Sequence, residues 1–165
     1  MGVLDDYMVK PNISLLEKTR IQAQVLVPVM QAMRAEIGRD KADTLVRGAL
    51  REWSKQLFAE IGKSIEGSPG RKFAKMNTAL AEVTEREVTF DMHRNDDEAR
   101  EFDITSCRFA EFFRALDEPE LGALLICATD FDIVSASGGE VSLERAQTIM
   151  QGAPSCTFRY KFAPR

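Results

Sequence analysis

The spacing of the apolar residues changes near Glu85, and this change constrains the fold of the chain more than any other feature. Before Glu85, apolar residues recur every three or four positions, which is typical of amphipathic helices. After Glu85 they alternate with polar residues, which is typical of strands with one buried face. Such a chain is expected to form an α+β fold, in which N-terminal helices pack on a mainly antiparallel C-terminal sheet.

Three helices are predicted in the first half of the chain, at about residues 12–84. The first ends at Gly38 and contains Pro28, which lacks an amide hydrogen and predicts a kink or a break. Asp40 is the predicted N-cap of the second, longer helix, and the third follows the GSPG loop at 67–70. The apolar faces of the three helices are Leu16, Ala23, Leu26, Met30, Met33 and Ile37; Leu45, Val46, Ala49, Leu50, Trp53, Leu57 and Ile61; and Phe73, Met76, Leu80 and Val83.

Four strands are predicted in the second half, at about residues 85–163. The polar run at 94–97 is a turn between the first two strands, and the glycine pair at 138–139 is a turn before the last two. The alternating residues of the four strands are Val88, Phe90 and Met92; Phe102 and Ile104; Val141, Leu143, Gln147 and Ile149; and Cys156, Phe158, Tyr160 and Phe162. The first strand is expected to be half-buried.

Two shorter helices are predicted between the strands. One begins at Cys107 and carries several phenylalanines on its apolar face. The other runs from Glu120 to Cys127, and Pro119 suits its first turn. Because the chain has 165 residues and no obvious linker, we expect one domain over residues 1–165.

The composition of the chain argues against nucleic acid and membranes as binding partners. The net charge of −4 argues against a nucleic-acid binder, because such proteins usually present a basic stripe. The segment MGVLDDYMVK lacks the basic and apolar regions of a signal peptide, and no apolar run approaches the ~20 residues of a membrane span. Three cysteines without paired spacing are typical of reduced thiols. We therefore expect a cytoplasmic protein that binds neither nucleic acid nor a membrane.

Common catalytic signatures are absent from the sequence. There is no glycine-rich phosphate loop and no GxSxG, and His93 is the single histidine, which excludes a histidine-rich metal site. His93 lies beside a predicted turn and is expected to be a surface residue. Any chemistry must therefore come from cysteine, carboxylate, arginine and backbone groups.

The three cysteines differ in their surroundings. Cys107 stands at a predicted helix start, where free N–H groups favour a reactive thiolate, and Glu111 lies one turn further along the same face. A cysteine at a helix start can also serve packing alone. Cys127 follows an apolar helix, and either core packing or a site position fits it. Cys156 shares the buried phase of its strand and is expected to be a core residue.

The stretch from Thr105 to Tyr160, with TSCRFAEFF, LICATDFD and RAQTIMQGAPSCTFRY, resembles the L-2-amino-thiazoline-4-carboxylic acid hydrolase family. A more diffuse similarity covers IQAQVLVPVM and ADTLVRGALREW in the helical half. The resemblance implies that water opens a 2-amino-thiazoline ring and gives an N-carbamoyl cysteine. The residues that carry it are Cys107, Ala110, Glu111, Leu121, Gly122, Cys127, Asp130, Arg145, Gln147, Thr148, Gly152, Cys156 and Phe158.

The same C-terminal stretch also resembles ligand-binding domains of the 4-vinyl-reductase type. Some of those domains hold zinc through a glutamate and cysteines. Glu144 and Cys156 match that pattern, but Gln147 stands where a second cysteine is expected. We therefore expect no metal and no cofactor.

The resemblance and the substrate chemistry together imply catalytic roles for three residues. Cys107 is the candidate nucleophile or a positioned thiol. Asp130 or Glu111 is the candidate general base or the anchor of the protonated amidine, since a carboxylate pairs naturally with that cation.

Substrate-binding roles are implied for four other residues. Arg145 is the candidate clamp for the substrate carboxylate, because its planar fork matches that group, although a cation on the sheet surface is an equal alternative. Gln147 and Thr148 are predicted on opposite faces of a strand, so one of them is expected to contact the ring. Cys127 is expected to line the pocket.

Three classes of function therefore remain open from the sequence. The first is a hydrolase acting on a small heterocyclic substrate. The second is a sensor module that binds such a molecule without turnover. The third is an assembly protein whose helices pair in a homo-oligomer.

Overall fold

The structure is a computed structural model that describes residues 13–63, 65–68, 70–76 and 87–164. Its elements are α1 (Leu15–Ile37), α2 (Arg39–Lys63), α3 (70–76), β1 (Val88–Asn95), β2 (Ala99–Cys107), α4 (Arg108–Ala115), α5 (Pro119–Gly122), a π-helix (Ala123–Cys127), α6 (Thr129–Ala136), β3 (Val141–Glu144), a short 3₁₀ helix (Ile149–Gln151) and β4 (Cys156–Phe162). The predicted α+β class, with long helices before an antiparallel sheet, is confirmed. Leu80 and Val83, assigned to the third helix, lie outside the described residues.

The first long helix, α1, begins at a capping box. The Ser14 hydroxyl accepts from the Glu17 N–H at 3.2 Å, and a Glu17 carboxylate oxygen accepts from the Ser14 N–H at 3.1 Å. Pro28 lies inside the helix at an exposed position, and the helix continues through it, so of the predicted kink or break the break does not occur. Gly38 ends the helix with φ 84°, as predicted, because this left-handed value suits glycine.

The second long helix, α2, begins directly after Gly38. The Gly38 carbonyl accepts from the Ala42 N–H at 3.1 Å and so makes the first helical hydrogen bond. Asp40 therefore lies in the first turn, and its prediction as N-cap is wrong. Leu45 and Trp53, assigned to the apolar face, are 54 % and 48 % exposed, because α2 packs against α1 and α6 with other positions. No helix in the described ranges is long and apolar enough to cross a membrane.

The sheet has the order β1-β2-β4-β3, and every neighbouring pair is antiparallel. Strand β4 alternates as predicted, with its buried side chains at Cys156, Phe158, Tyr160 and Phe162. Phe73 of α3 packs on two of these rings at centroid distances of 4.4 Å and 5.4 Å. Strand β1 is mostly exposed rather than half-buried, because it lies at the edge of the sheet.

Strand β3 is shorter than the sequence predicts. It ends at Glu144, so Gln147 lies in a loop and Ile149 begins the 3₁₀ helix. The expectation that Gln147 and Thr148 occupy opposite faces of a strand is therefore wrong. The alternating polarity of the residues after Glu144 is compatible with either a strand or a loop. The strand stops at Glu144 because its pairing with β4 ends there.

The segment after Cys127 forms α6, a helix that the sequence analysis did not identify. Its anchor is Asp132, which is 2 % exposed and accepts from a guanidinium nitrogen of Arg47 on α2. The same nitrogen of Arg47 donates to the carbonyl of Ala128 at 3.0 Å. These contacts hold the start of α6 against α2.

Candidate functional site

Arg145 and Asp130 form an ion pair at the junction of α6 and the loop after β3. Arg145 Nη1 donates to Asp130 Oδ2 at 2.5 Å and to the carbonyl of Cys127 at 2.9 Å. The Arg145 side chain is only 7 % exposed, and its guanidinium carbon lies 4.8 Å from the ring centroid of Phe131 and 5.3 Å from that of Phe158. Arg145 is therefore a buried side chain, which removes the alternative of a solvated surface cation.

Both residues of this pair keep polar atoms that have no partner among the described residues. Within the described part of the chain, Arg145 Nη2 and Nε and Asp130 Oδ1 make no hydrogen bond. A guanidinium edge with two free N–H groups matches a carboxylate, and a free carboxylate oxygen matches an amidinium or a water molecule. The pair can therefore hold a ligand without first losing its own contacts.

Burial sets the titration of Asp130. Desolvation raises the pKa of its carboxyl from 3.8 to about 6, although the Arg145 guanidinium acts in the opposite direction. Asp130 keeps 30 % of its side chain exposed, so a small molecule can reach it. A carboxyl group that titrates near neutral pH is suited to accept and return a proton.

Cys107 lies at the N-cap of α4, as the sequence predicts, but its environment opposes a thiolate. Burial raises the pKa of its thiol, and nearby Glu111 and Asp130 raise it further. The N–H groups of Phe109 and Ala110 lower the pKa, but less than burial raises it, and neither makes a cap hydrogen bond with the sulfur. The helix start is therefore too weak to activate this thiol.

The other two cysteines are also protonated at neutral pH. Burial raises the pKa of Cys127 to about 12 and also raises that of Cys156. Cys107 influences the pKa of both, and Asp130 influences all three thiols. The fold thus brings the three cysteines close to the Asp130 carboxylate.

The remaining predicted residues stand further from this centre. Glu111 is exposed on α4. Gln147 Nε2 donates to the carbonyl and hydroxyl oxygens of Ser155 at 3.2 Å and 3.1 Å. The Thr148 hydroxyl accepts from the Gln151 N–H and donates to its side chain, and Thr148 is 4 % exposed. Gln147 and Thr148 therefore stabilise the loop that carries Arg145.

Tyr160 is a residue that the sequence analysis assigned only to the core. It is 3 % exposed, and its hydroxyl makes no hydrogen bond within the described residues. Burial raises its pKa well above 10, and the charges of Asp130, Arg145 and Arg100 all act on it. The sequence signal that could have identified Tyr160 is a tyrosine among phenylalanines on a buried strand face, because its polar tip needs a partner.

Two surface cavities lie away from the ion pair. A groove of about 450 Å³ runs between the end of α1 and the segment before α5, and its arginines are already paired with acidic residues. A cleft of about 160 Å³ lies between α3 and the turn that joins β1 to β2. Neither is lined by a residue predicted for the site. Among the described residues, no three histidine, cysteine or acidic side chains gather in a way that fits a metal ion.

The three thiols give a prediction that follows from their burial. Counting thiols with a chromogenic disulfide reagent in the denatured, unreduced protein should find all three, since all are free in the structure. In the native protein at neutral pH the reaction should be much slower, because the raised pKa values leave little thiolate. Fewer than three thiols, or one that reacts as fast as in the denatured chain, contradicts the prediction.

Comparisons with known proteins agree with this architecture. The fold is similar to that of the phenol-responsive sensory domain of the transcription activator PoxR, solved with phenol, with a TM-score of 0.54. The sequences are 16 % identical, and the match covers 83 % of this chain and 72 % of that chain, so the likeness concerns the fold alone. No curated protein matches the chain.

The sequence itself matches a family model over most of its length. The model of the L-2-amino-thiazoline-4-carboxylic acid hydrolases matches residues 18–160. This protein belongs to that family, and the resemblance carried by the cysteine, aspartate and arginine motifs is confirmed.

Proposed function

We propose that the protein hydrolyses a small cyclic amidine, with L-2-amino-thiazoline-4-carboxylate as the leading substrate. The observation that carries the proposal is the Asp130–Arg145 pair, in which a carboxyl group with a pKa of about 6 stands beside a buried guanidinium. The substrate class has a cationic amidine at one end and a carboxylate at the other. The free edge of Arg145 is complementary to the substrate carboxylate, and the charge of Asp130 attracts the cationic amidine while Oδ1 stays free for the attacking water.

In the proposed reaction, water attacks directly and no thiolate takes part. Asp130 accepts a proton from the water as its oxygen adds to the ring carbon between nitrogen and sulfur. The bond from that carbon to the sulfur then breaks, and the two protons of the water end on the sulfur and on the ring nitrogen. Cys107 and Cys127 remain protonated and stay near Asp130 as positioned thiols.

The main alternative is a sensor that binds a heterocycle without turnover. The likeness to a sensory domain supports it, because that protein has the same fold and is solved with a small aromatic molecule. Both functions need a pocket beside the inner face of the sheet, so the fold does not distinguish them.

A panel of cyclic amidines incubated with the protein tests the proposal. Mass spectrometry should detect a product heavier by one water, formed in proportion to protein and time. Retention of unchanged ligand, together with a rise in Tm, supports the sensor instead. If no member of the panel is converted and none is bound, both functions are rejected.

The role of Arg145 gives a second prediction. In Arg145→Lys the charge beside Asp130 remains, but the second N–H edge is lost. The KM for the carboxylated ring should rise by roughly 10- to 150-fold, the equivalent of one charged hydrogen bond, while the decarboxylated analogue should change little. Steady-state kinetics on the two rings measures this difference.

Arg159→Lys is the matched control for that experiment. Arg159 belongs to the same sheet but pairs with Asp103 at 2.8 Å on the opposite, polar face. It should leave both substrates unaffected. Equal losses for both rings in Arg145→Lys would show that Arg145 has only a structural role.

A further inference from the structure

Arg100, at the start of β2, has no carboxylate partner among the described residues. Within the part of the chain that the structure describes, its buried Nε has no hydrogen-bond partner and its guanidinium forms no ion pair. Arg34 and Arg159, by contrast, are both paired with aspartates. Burial also lowers the pKa of Arg100, which means that the surroundings disfavour its charge. A partly buried guanidinium without a carboxylate costs stability unless an anion from solution pairs with its accessible nitrogens.

Arg100 lines the cleft of about 160 Å³ between α3 and the β1–β2 turn. This is the space of roughly five water molecules, so the cleft can take only a small ion or molecule. Gly70 closes one wall by a close approach, since a Cβ there would lie 3.1 Å from the Phe162 ring and 3.2 Å from the carbonyl of Asp97. The narrow cleft is therefore a consequence of glycine at this position.

The formal charges that line the cleft balance, because Arg71 and Arg100 face Asp96 and Asp97. Arg71 supplies a second cation from α3. Asp96 is already engaged, because it accepts from the N–H groups of Glu98 and Ala99 at 2.9 Å and from Arg94 at 2.5 Å. These contacts lower the pKa of Asp96 to about 2. Asp97 remains as an exposed negative charge, which opposes a dianion more strongly than a monoanion.

We propose that this cleft is a second ligand site, separate from the Asp130–Arg145 pair, and that it binds a small carboxylate monoanion through Arg100. Arg100 lines the cleft, and the planar fork of its guanidinium matches the two oxygens of a carboxylate. The proposal does not depend on the hydrolase function, because it rests on a different cavity and different residues.

Titration of the ¹⁵N-labelled full chain with acetate, at constant ionic strength, tests this site. The Nε–H signal of Arg100 should shift and saturate, with a Kd on the order of millimolar. Chloride should cause no saturable shift, and inorganic phosphate should bind more weakly than acetate. Tighter binding of phosphate, or a shift with acetate that never saturates, overturns the proposal.

Two variants complete the test. Arg100→Gln removes the charge and should abolish the saturable response, whereas Arg51→Gln removes an exposed arginine of α2, outside the cleft, and should keep it. Loss of the response in both variants, or in neither, contradicts a site at Arg100. If Arg100→Gln does not fold, the wild-type Nε–H signal still decides, because it can be assigned through its own side chain.

Discussion

Replacement of Asp130 by asparagine is expected to lower turnover of a 2-amino-thiazoline carboxylate by roughly 10²- to 10⁴-fold, the usual contribution of a general base. Asparagine keeps the shape of the side chain and an oxygen that can accept from Arg145 Nη1 at the observed position. It cannot take a proton from water. Steady-state rates measured on folded protein, with circular dichroism as the check of folding, give the size of the loss.

The pH dependence gives a sharper version of this prediction. Since Asp130 has a pKa of about 6, kcat/KM of the wild type should rise as the pH increases through about 6. Asp130→Asn should lack this inflection. Ionisation of a group with a pKa of about 6 predicts an increase of roughly 10-fold in kcat/KM between pH 5 and 7, and a wild-type profile without this increase contradicts Asp130 as the base.

The same titration has a consequence for stability, with a definite sign. The folded pKa of about 6 lies above the ordinary value of 3.8, so between these pH values the folded state binds more protons than the unfolded state. The free energy of unfolding therefore falls as the pH rises from about 4 to 6, by at most roughly 3 kcal/mol and less where solvent reaches the group. Urea denaturation across this range should show the fall in wild type and not in Asp130→Asn.

Cys107→Ser is compared with Asp130→Asn to test whether water, rather than the Cys107 thiolate, attacks the substrate. Because burial keeps the Cys107 thiol protonated, its replacement by a hydroxyl of similar size should preserve most of the turnover. Loss of turnover comparable to that of Asp130→Asn, in folded protein, would instead establish Cys107 as the nucleophile. The two variants together thus separate the water mechanism from the thiolate mechanism.

Alanine at Gly122 should destabilise the protein by roughly 1–3 kcal/mol, as overpacked cores do. A Cβ at this position would lie 2.5 Å from the sulfur of Met150 and 2.7 Å from the ring of Phe113. Both neighbours are buried, at 2 % and 1 % exposure, so neither can move into solvent. Gly122 therefore provides the space in which α5 approaches α4 and the 3₁₀ helix.

Gly48→Ala is the control, because the expected change has the opposite sign. Gly48 lies in α2 at an exposed position, and a Cβ there would have no atom within 4 Å. Alanine should stabilise the helix by up to about 1 kcal/mol relative to glycine. Urea denaturation of the two variants measures both values. Similar effects at the two positions would show that Phe113 and Met150 repack without cost.

Local signals in the sequence were sufficient to predict most elements of the fold. The end of α1 at Gly38, the alternation of β4 and the start of α4 after Cys107 depend on backbone preferences and on a pattern of burial that nearby residues carry. The wrong predictions concern places where the local pattern was short or where two neighbouring residues fitted the same role. Asp40 and Gly38 both suit a helix start, and the residues after Glu144 alternate in polarity without forming a strand.

In the candidate site, too, the sequence predicted some features and the tertiary structure revealed others. Family resemblance selected Asp130 and Arg145 from the sequence, but their mutual contact and the assignment of Gln147 to the loop were not foreseen. Helix α6 was missed because its anchor, Asp132, pairs with Arg47, which is 85 residues away in the chain. A pattern of neighbouring residues does not indicate a partner that is so far away in the sequence.

The sequence by itself determined the α+β class, the family and the residue types available for chemistry, because these depend on periodicity, motif and composition. Only the tertiary structure decided which of those residues carry unusual protonation. The start of α4 lowers the pKa of Cys107, but burial by the surrounding elements raises it more. Burial likewise raises the pKa of Asp130 to about 6. Desolvation depends on every element that excludes water from a group, and for that reason it is a property of the fold rather than of the neighbouring sequence.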